Sequence, residues 1–168
     1  MAYQFIESYD SPNYGKYLVG ETNQNHPEYI CIHHWGAMGQ SFMGVVNWLC
    51  NPKAGSSAHL VAEAGRVACI VSYGNVAWHT GVMEENARSI GIECRPECRP
   101  ADFETVAELI ADIWRFYGRK LPLRGHKDIK PTACPGVWYD RLDELYRRAE
   151  YYYNGGNALP VVKAKAIP

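Results

Sequence analysis

Neither sign of charge dominates this 168-residue chain: 17 Lys and Arg stand against 18 Asp and Glu, a formal net charge of -1. A dedicated nucleic-acid binder carries a basic field, so that class is excluded and a neutral or mixed-charge partner is expected. No apolar run approaches the roughly 18 residues that a membrane span requires, so no stable membrane insertion is expected. The segment Met1–Glu7 lacks the basic stretch and following apolar stretch of a secretory signal, and synthesis in a cytoplasm is the expectation. There is no internal repeat and no low-complexity block. Nor does a four-cysteine metal cluster form: Cys94 and Cys98 flank Arg95-Pro96-Glu97, but no second pair at ligand spacing completes them. Buried free thiols are the simpler reading of most of the six cysteines, because a chain of this size in a reducing compartment needs no disulfide staples. The composition left by these exclusions, 47% hydrophobic and 21% charged, is that of a globular protein with one domain and a short appendage.

Periodicity supplies the elements. Tyr29–His34 is short, β-rich and closed by Trp35-Gly36, as a strand running into a loop would be. Ser41 is placed to cap a helix over Phe42–Cys50 that covers a sheet face. Ser57–Glu63 and Arg66–Ser72 read as a hairpin turning at Ala64-Gly65, and Ser89–Cys94 as a further strand. Pro96 and Pro100 then bracket a loop, since proline cannot donate to a ladder. From Asp102 the apolar residues Phe103, Val106, Ala107, Ile110, Ile113, Trp114 and Tyr117 recur at helical spacing, with Gly118 as terminator. Leu142, Leu145, Tyr146 and Ala149 mark a last amphipathic helix, and the domain is expected to close near Tyr153. Residues 154–168 lack periodicity and read as a linker-like tail.

Strand alternation sorts the polar residues. Ile30/Ile32, Leu60 and Ile90/Ile92 alternate with Cys31/His33, His59 and Gly91/Glu93, so one face is apolar and the other carries functional groups. His33 and His34 must point to opposite faces; His33 shares a face with Glu93, and His34 lies with the isoleucines. Downstream, Gly125–Gly136 is a proline-stiffened loop holding His126 and Cys134, which can be aimed at one point. Imidazole and thiolate both suit zinc, and a third ligand from a distant strand would leave the fourth position open, as in a catalytic rather than structural site.

These residues, with Ser57–Val61, Val76–Gly81 and Ser89–Glu93, resemble the zinc-dependent N-acetylmuramoyl-L-alanine amidases of the type-2 family. That family shares its fold with the peptidoglycan recognition proteins and is common among phage endolysins. The resemblance spans Tyr29 to Ala149, and the order and spacing of its motifs are more specific than any one of them. It implies an α/β fold with a central mixed β-sheet flanked by helices. It further implies Zn2+ on His33, His126 and Cys134, Glu93 as catalytic carboxylate, and His79 near the water or substrate. The substrate would be bacterial peptidoglycan, cleaved between N-acetylmuramic acid and L-alanine by a monomer that reaches the cell wall after release.

Two departures stand out. Thr132 occupies a position where many relatives have lysine, so an oxyanion would receive a neutral donor there. Ala58 replaces a tyrosine of some branches, which shifts the base role further onto Glu93. Trp78, Asn86 and His59 are further candidates for substrate contact, although His59 could instead brace the site. Alternatives remain at this stage: a non-catalytic peptidoglycan-binding module, a bacterial wall-turnover amidase, a muramidase, or a cysteine hydrolase pairing Cys134 with His126 or His33.

Overall fold

The computed structural model describes residues 2–15 and 24–157, so most of the tail, 158–168, lies outside the described residues. Six strands form one mixed sheet: β1 (Gln4–Ile6), β2 (Tyr29–His34), β3 (Leu60–Glu63), β4 (Arg66–Cys69), β5 (Ser89–Cys94) and β6 (Leu123–Gly125), in the spatial order β1-β4-β3-β5-β2-β6. The four strands β3, β5, β2 and β6 are mutually parallel, while β3 and β4 form the antiparallel hairpin. Parallel strands bring their carboxyl ends to one edge, and in such sheets that edge is where ligands are bound. Here it collects the ends of β2, β5 and β6.

Alternation divides the core. Along the chain the helices are α1 (Phe42–Leu49), the short α2 (Met83–Asn86), α3 (Pro100–Tyr117) and α4 (Leu142–Tyr153); Ile30, Ile32, Leu60, Ala62, Ile90 and Ile92 pack under α3 and α4. On the opposite face α1 (Phe42–Leu49) covers Val61, Ala68 and Ile70. The second face is therefore partly apolar as well as carrying functional groups. Its β2/β5 portion carries Cys31, His33 and Glu93. Trp114 of α3 joins the two long helices, lying 4.9 Å from the Tyr146 ring and 5.8 Å from that of Tyr153.

Several boundaries also shift. Pro100 opens α3 rather than bracketing a loop, because its fixed φ suits the first helical position and its missing N–H is not needed there. The hairpin strands are shorter than their patterns suggest: just beyond the ladder the Ile70 N–H donates to the His59 carbonyl, and the His59 N–H donates to the Gly91 carbonyl of β5. His34 leaves the isoleucines for a half-buried position. Its ring lies where a Cβ on Gly136 would come within 2.8 Å, which favours glycine at that turn along with its φ of +61°.

Asp102 ties the start of α3 to the hairpin turn. Its carboxylate accepts from the Arg99 backbone N–H at 2.9 Å, from the Arg99 guanidinium at 2.7 and 2.8 Å, and from Ala64 N–H at 2.8 Å. Burial alone would raise its pKa, but the Arg99 side chain and the two backbone donors outweigh burial and hold it below the usual aspartate value. Asp102→Asn is expected to cost about 1–3 kcal/mol at neutral pH, read by urea unfolding. A carboxyl whose folded pKa is depressed contributes fully above its unfolded value of about 3.9 and loses that contribution as the pH falls through the folded value. The gap between parent and variant should therefore narrow in acid.

Candidate active site

Register brings the distant residues together. His33 on β2 is paired with Glu93 on β5, and Ile32 with Gly125 at the end of β6, so the next residue, His126, arrives beside His33. The His33 and His126 rings are 4.6 Å apart between centroids. Cys134 comes back across them, with Sγ 3.6 Å from His33 Nδ1 and 3.4 Å from the His34 backbone N–H, which donates to it. These residues line a cleft of about 650 Å³ at the sheet edge, walled by Trp35, by Trp48 and Val45 of α1, and by Trp78.

The ligand atoms of His33, His126 and Cys134 all lie within 4.8 Å of one another. A tetrahedral zinc with Zn–S of about 2.3 Å and Zn–N of about 2.0 Å holds sulfur and nitrogen about 3.5 Å apart. The observed 3.6 Å fits that spacing without rearrangement. A second group, Cys31, His33 and His79, satisfies the same outer limit but fits less well. Its two imidazole nitrogens are 2.8 Å apart, a hydrogen bond, whereas two nitrogens on one zinc stand about 3.3 Å apart. All three of its residues are also buried, away from solvent.

Electrostatics agree with a cation at the first group. Burial, then the neighbouring His126 and His34, hold the His33 pKa well below the usual value. Burial likewise lowers His126, against the opposing pull of the Thr80 carbonyl. Both rings are thus neutral, the form a metal requires. The Cys134 thiol is pushed up to about 12, first by burial and further by Glu93, against the His34 N–H. Such a thiol is a poor nucleophile at neutral pH, but coordination to a divalent metal deprotonates it. Glu93 is half-buried; its Oε2 is buried with no hydrogen-bond partner, and burial raises its pKa to about 7.

A family model described as N-acetylmuramoyl-L-alanine amidase, Amidase_2, matches residues 23–137. The chain belongs to that family. Solved structures agree with it at the level of fold. The catalytic domain of XlyA matches with a TM-score of 0.69 at 22% identity, over 87% of this chain and 99% of that one. The PlyG catalytic domain gives 0.72 at 14% identity, over 94% and 99%. Staphylococcus aureus hydrolase AmiA, solved with its ligand, gives 0.71 at 18%, over 94% and 88%. No curated protein sequence matched. The chain is thus an amidase catalytic domain, with peptidoglycan as the substrate its family implies, and it shares its fold with a Bacillus subtilis endolysin (TM-score 0.66 at 21% identity, over 88% of this chain and 99% of that one). Among the described residues, no helix is long and apolar enough to cross a membrane.

Not every sequence candidate reaches the amidase cleft. Thr132 is exposed on its rim, where its Oγ1 accepts from the Cys134 N–H at 3.2 Å; the hydroxyl proton can still be donated. Trp78 lines the cleft while its Nε1 donates to the Gly15 carbonyl. Asn86, expected against substrate, is buried instead, and its Oδ1 accepts from His79 N–H, Thr80 N–H and the Thr80 hydroxyl. His59 is also fully buried: its Nδ1 accepts from the Gly91 N–H and its Nε2 reaches the Asn75 carbonyl, so it braces β3 against β5. His79 touches the cleft wall, but both its nitrogens are engaged inward, with His33 and Ser89. Ser89 and the Thr80 carbonyl escaped sequence reasoning. A backbone oxygen carries no residue-type signature, and a serine at a strand start reads only as a boundary.

All six cysteines are free, and Cys94 and Cys98 are buried on the opposite face under α3. Arg95 and Arg88 do not line the cleft and are paired, Arg95 with Glu63 at 2.7 Å and with Glu97, Arg88 with Glu28.

Proposed function

We propose that this amidase is a zinc enzyme that hydrolyses the amide between the lactyl group of N-acetylmuramic acid and L-alanine, with His33, His126 and Cys134 as ligands and Glu93 as proton shuttle. The observation that carries this reading is the convergence of a neutral His–His–Cys set, spaced for tetrahedral zinc, beside a carboxylate whose buried Oε2 has no hydrogen-bond partner, at one cleft. Bound zinc supplies Lewis acidity to a carbonyl oxygen and acidifies water.

The chain's own groups complete the reaction. Glu93 takes a proton from the water that attacks the lactyl carbonyl carbon. When the C–N bond breaks, Glu93 returns that proton to the departing alanine nitrogen, so its ionisation state is restored. A carboxyl poised near neutrality serves both directions. Thr132 donates its hydroxyl proton to the oxygen on which charge develops, a neutral donor where many relatives have a lysine. Trp35, Trp48 and Trp78 exclude water and offer apolar faces to the saccharide and lactyl carbons.

The endolysin-like build supports a place for the domain in lysis: it is made in the cytoplasm and acts on the bacterial wall after release, as a monomer. Mass spectrometry of digested peptidoglycan tests the bond. Stem peptides with a free N-terminal L-alanine, without new reducing ends, are expected; new reducing ends without new amino groups would show a glycosidase and sink the proposal.

A further inference from the structure

The two metal-site histidines offer four ring nitrogens, and the hydrogen bonds behind them decide which two can face an ion. His126 Nε2 lies 3.0 Å from the Thr80 carbonyl, an atom that can only accept. Nε2 therefore carries the proton, and Nδ1 keeps its lone pair. For His33 the logic runs through three residues. The Ser89 hydroxyl donates to the Glu85 carbonyl at 2.6 Å, so toward His79 Nε2, at 3.2 Å, it must accept. His79 is then protonated on Nε2 and bare on Nδ1, where it accepts from His33 Nε2 at 2.8 Å. That leaves His33 Nδ1 unprotonated, and it is Nδ1 that faces Cys134 Sγ.

Both outer partners come from consecutive residues, the side chain of His79 and the carbonyl of Thr80. Asn86 holds this pair by accepting from both of their backbone N–H groups, at 3.1 and 2.8 Å. The slot for His79 is equally specific. A Cβ on Gly91 would stand 2.6 Å from the His79 ring, so a side chain at that point of β5 would expel it.

We infer that the His79–Thr80 turn, clamped by Asn86 and seated over Gly91, is a positioning device that fixes the tautomer of both histidine ligands with Nδ1 toward the ion. This rests on the proposed zinc set. His79 acts through His33 and is no substrate-binding residue. Outer hydrogen bonds of this kind typically contribute about 10–100-fold in metal affinity.

The test measures zinc affinity by competition with a chromophoric chelator in the parent, His79→Phe and His79→Asn. Phenylalanine fills the slot but cannot accept, whereas asparagine leaves space but can present its Oδ1 near the position of Nδ1. The Phe variant is expected to bind zinc about 10–100-fold more weakly, with Asn recovering most of the loss. A packing role predicts the reverse order and would overturn the inference, as would a Phe variant that binds like the parent. A parent that binds no zinc would sink the proposed metal set as well, which separates the two failures. Independently of any variant, long-range 1H–15N spectra of the metal-free parent should show His33 and His126 protonated on Nε2. A proton on Nδ1 of either ring would refute the device even if His79→Phe fails to fold.

Discussion

Glu93→Gln is expected to lower kcat by about a thousandfold, within the range of about 10²–10⁴ for a lost general acid–base, while KM moves little. Glutamine preserves the shape of a side chain whose Oε2 is buried and unpartnered, so the fold and the ligand set should survive. In the proposed mechanism the substitution removes only the capacity to take a proton from water and hand it to the leaving amine. Zinc content of the purified variant, measured beside its rate of peptide release, separates the two roles. Full metal occupancy with collapsed turnover is the expected pair of results. Wild-type turnover in Glu93→Gln would remove the carboxylate from the mechanism.

Cys134→Ala is expected to abolish measurable turnover, a loss of at least about a thousandfold, because the proposed zinc site would fall to two imidazoles and no longer hold the ion. The parent treated with a strong chelator should lose activity to the same extent and regain it on addition of zinc; the variant should regain nothing. A cysteine hydrolase would behave otherwise, ignoring chelators and failing with alkylating agents. The high pKa of the Cys134 thiol already disfavours that reading, since a nucleophilic cysteine needs thiolate at working pH. Thermal unfolding supplies a second readout: zinc that binds only the folded chain raises the parent's Tm by mass action, and should leave that of Cys134→Ala unchanged.

Long-range order came from short-range pattern more readily for some residues than for others. The 3.6-residue repeat from Phe103 to Trp114 describes α3 closely, and the alternation around Ile30/Ile32 and Ile90/Ile92 separates the core face from that of His33 and Glu93. Both inferences hold because side-chain direction within an element follows from backbone period alone. Strands β1 and β6, three residues each, are too short to carry a period, and exist because β4 and β2 offer them partners. The polar residues divide similarly. Residue type offers His126 and Cys134 as zinc ligands, and the family resemblance adds His33 to complete the set.

Residue type could not tell a histidine facing the cleft from one behind it. His59, His79 and Asn86 carry the chemistry expected of a binding groove, yet their polar atoms are turned inward by Gly91, Ser89 and the backbone of the 79–80 turn. What the chain determines by itself is therefore the periodic elements, the sheet face and the kinds of ligand available, because these depend on local covalent geometry and side-chain chemistry. Tertiary structure alone decides the register that sets His126 and Cys134 against His33, and the nitrogen each ring presents, because those depend on hydrogen bonds between residues dozens of positions apart.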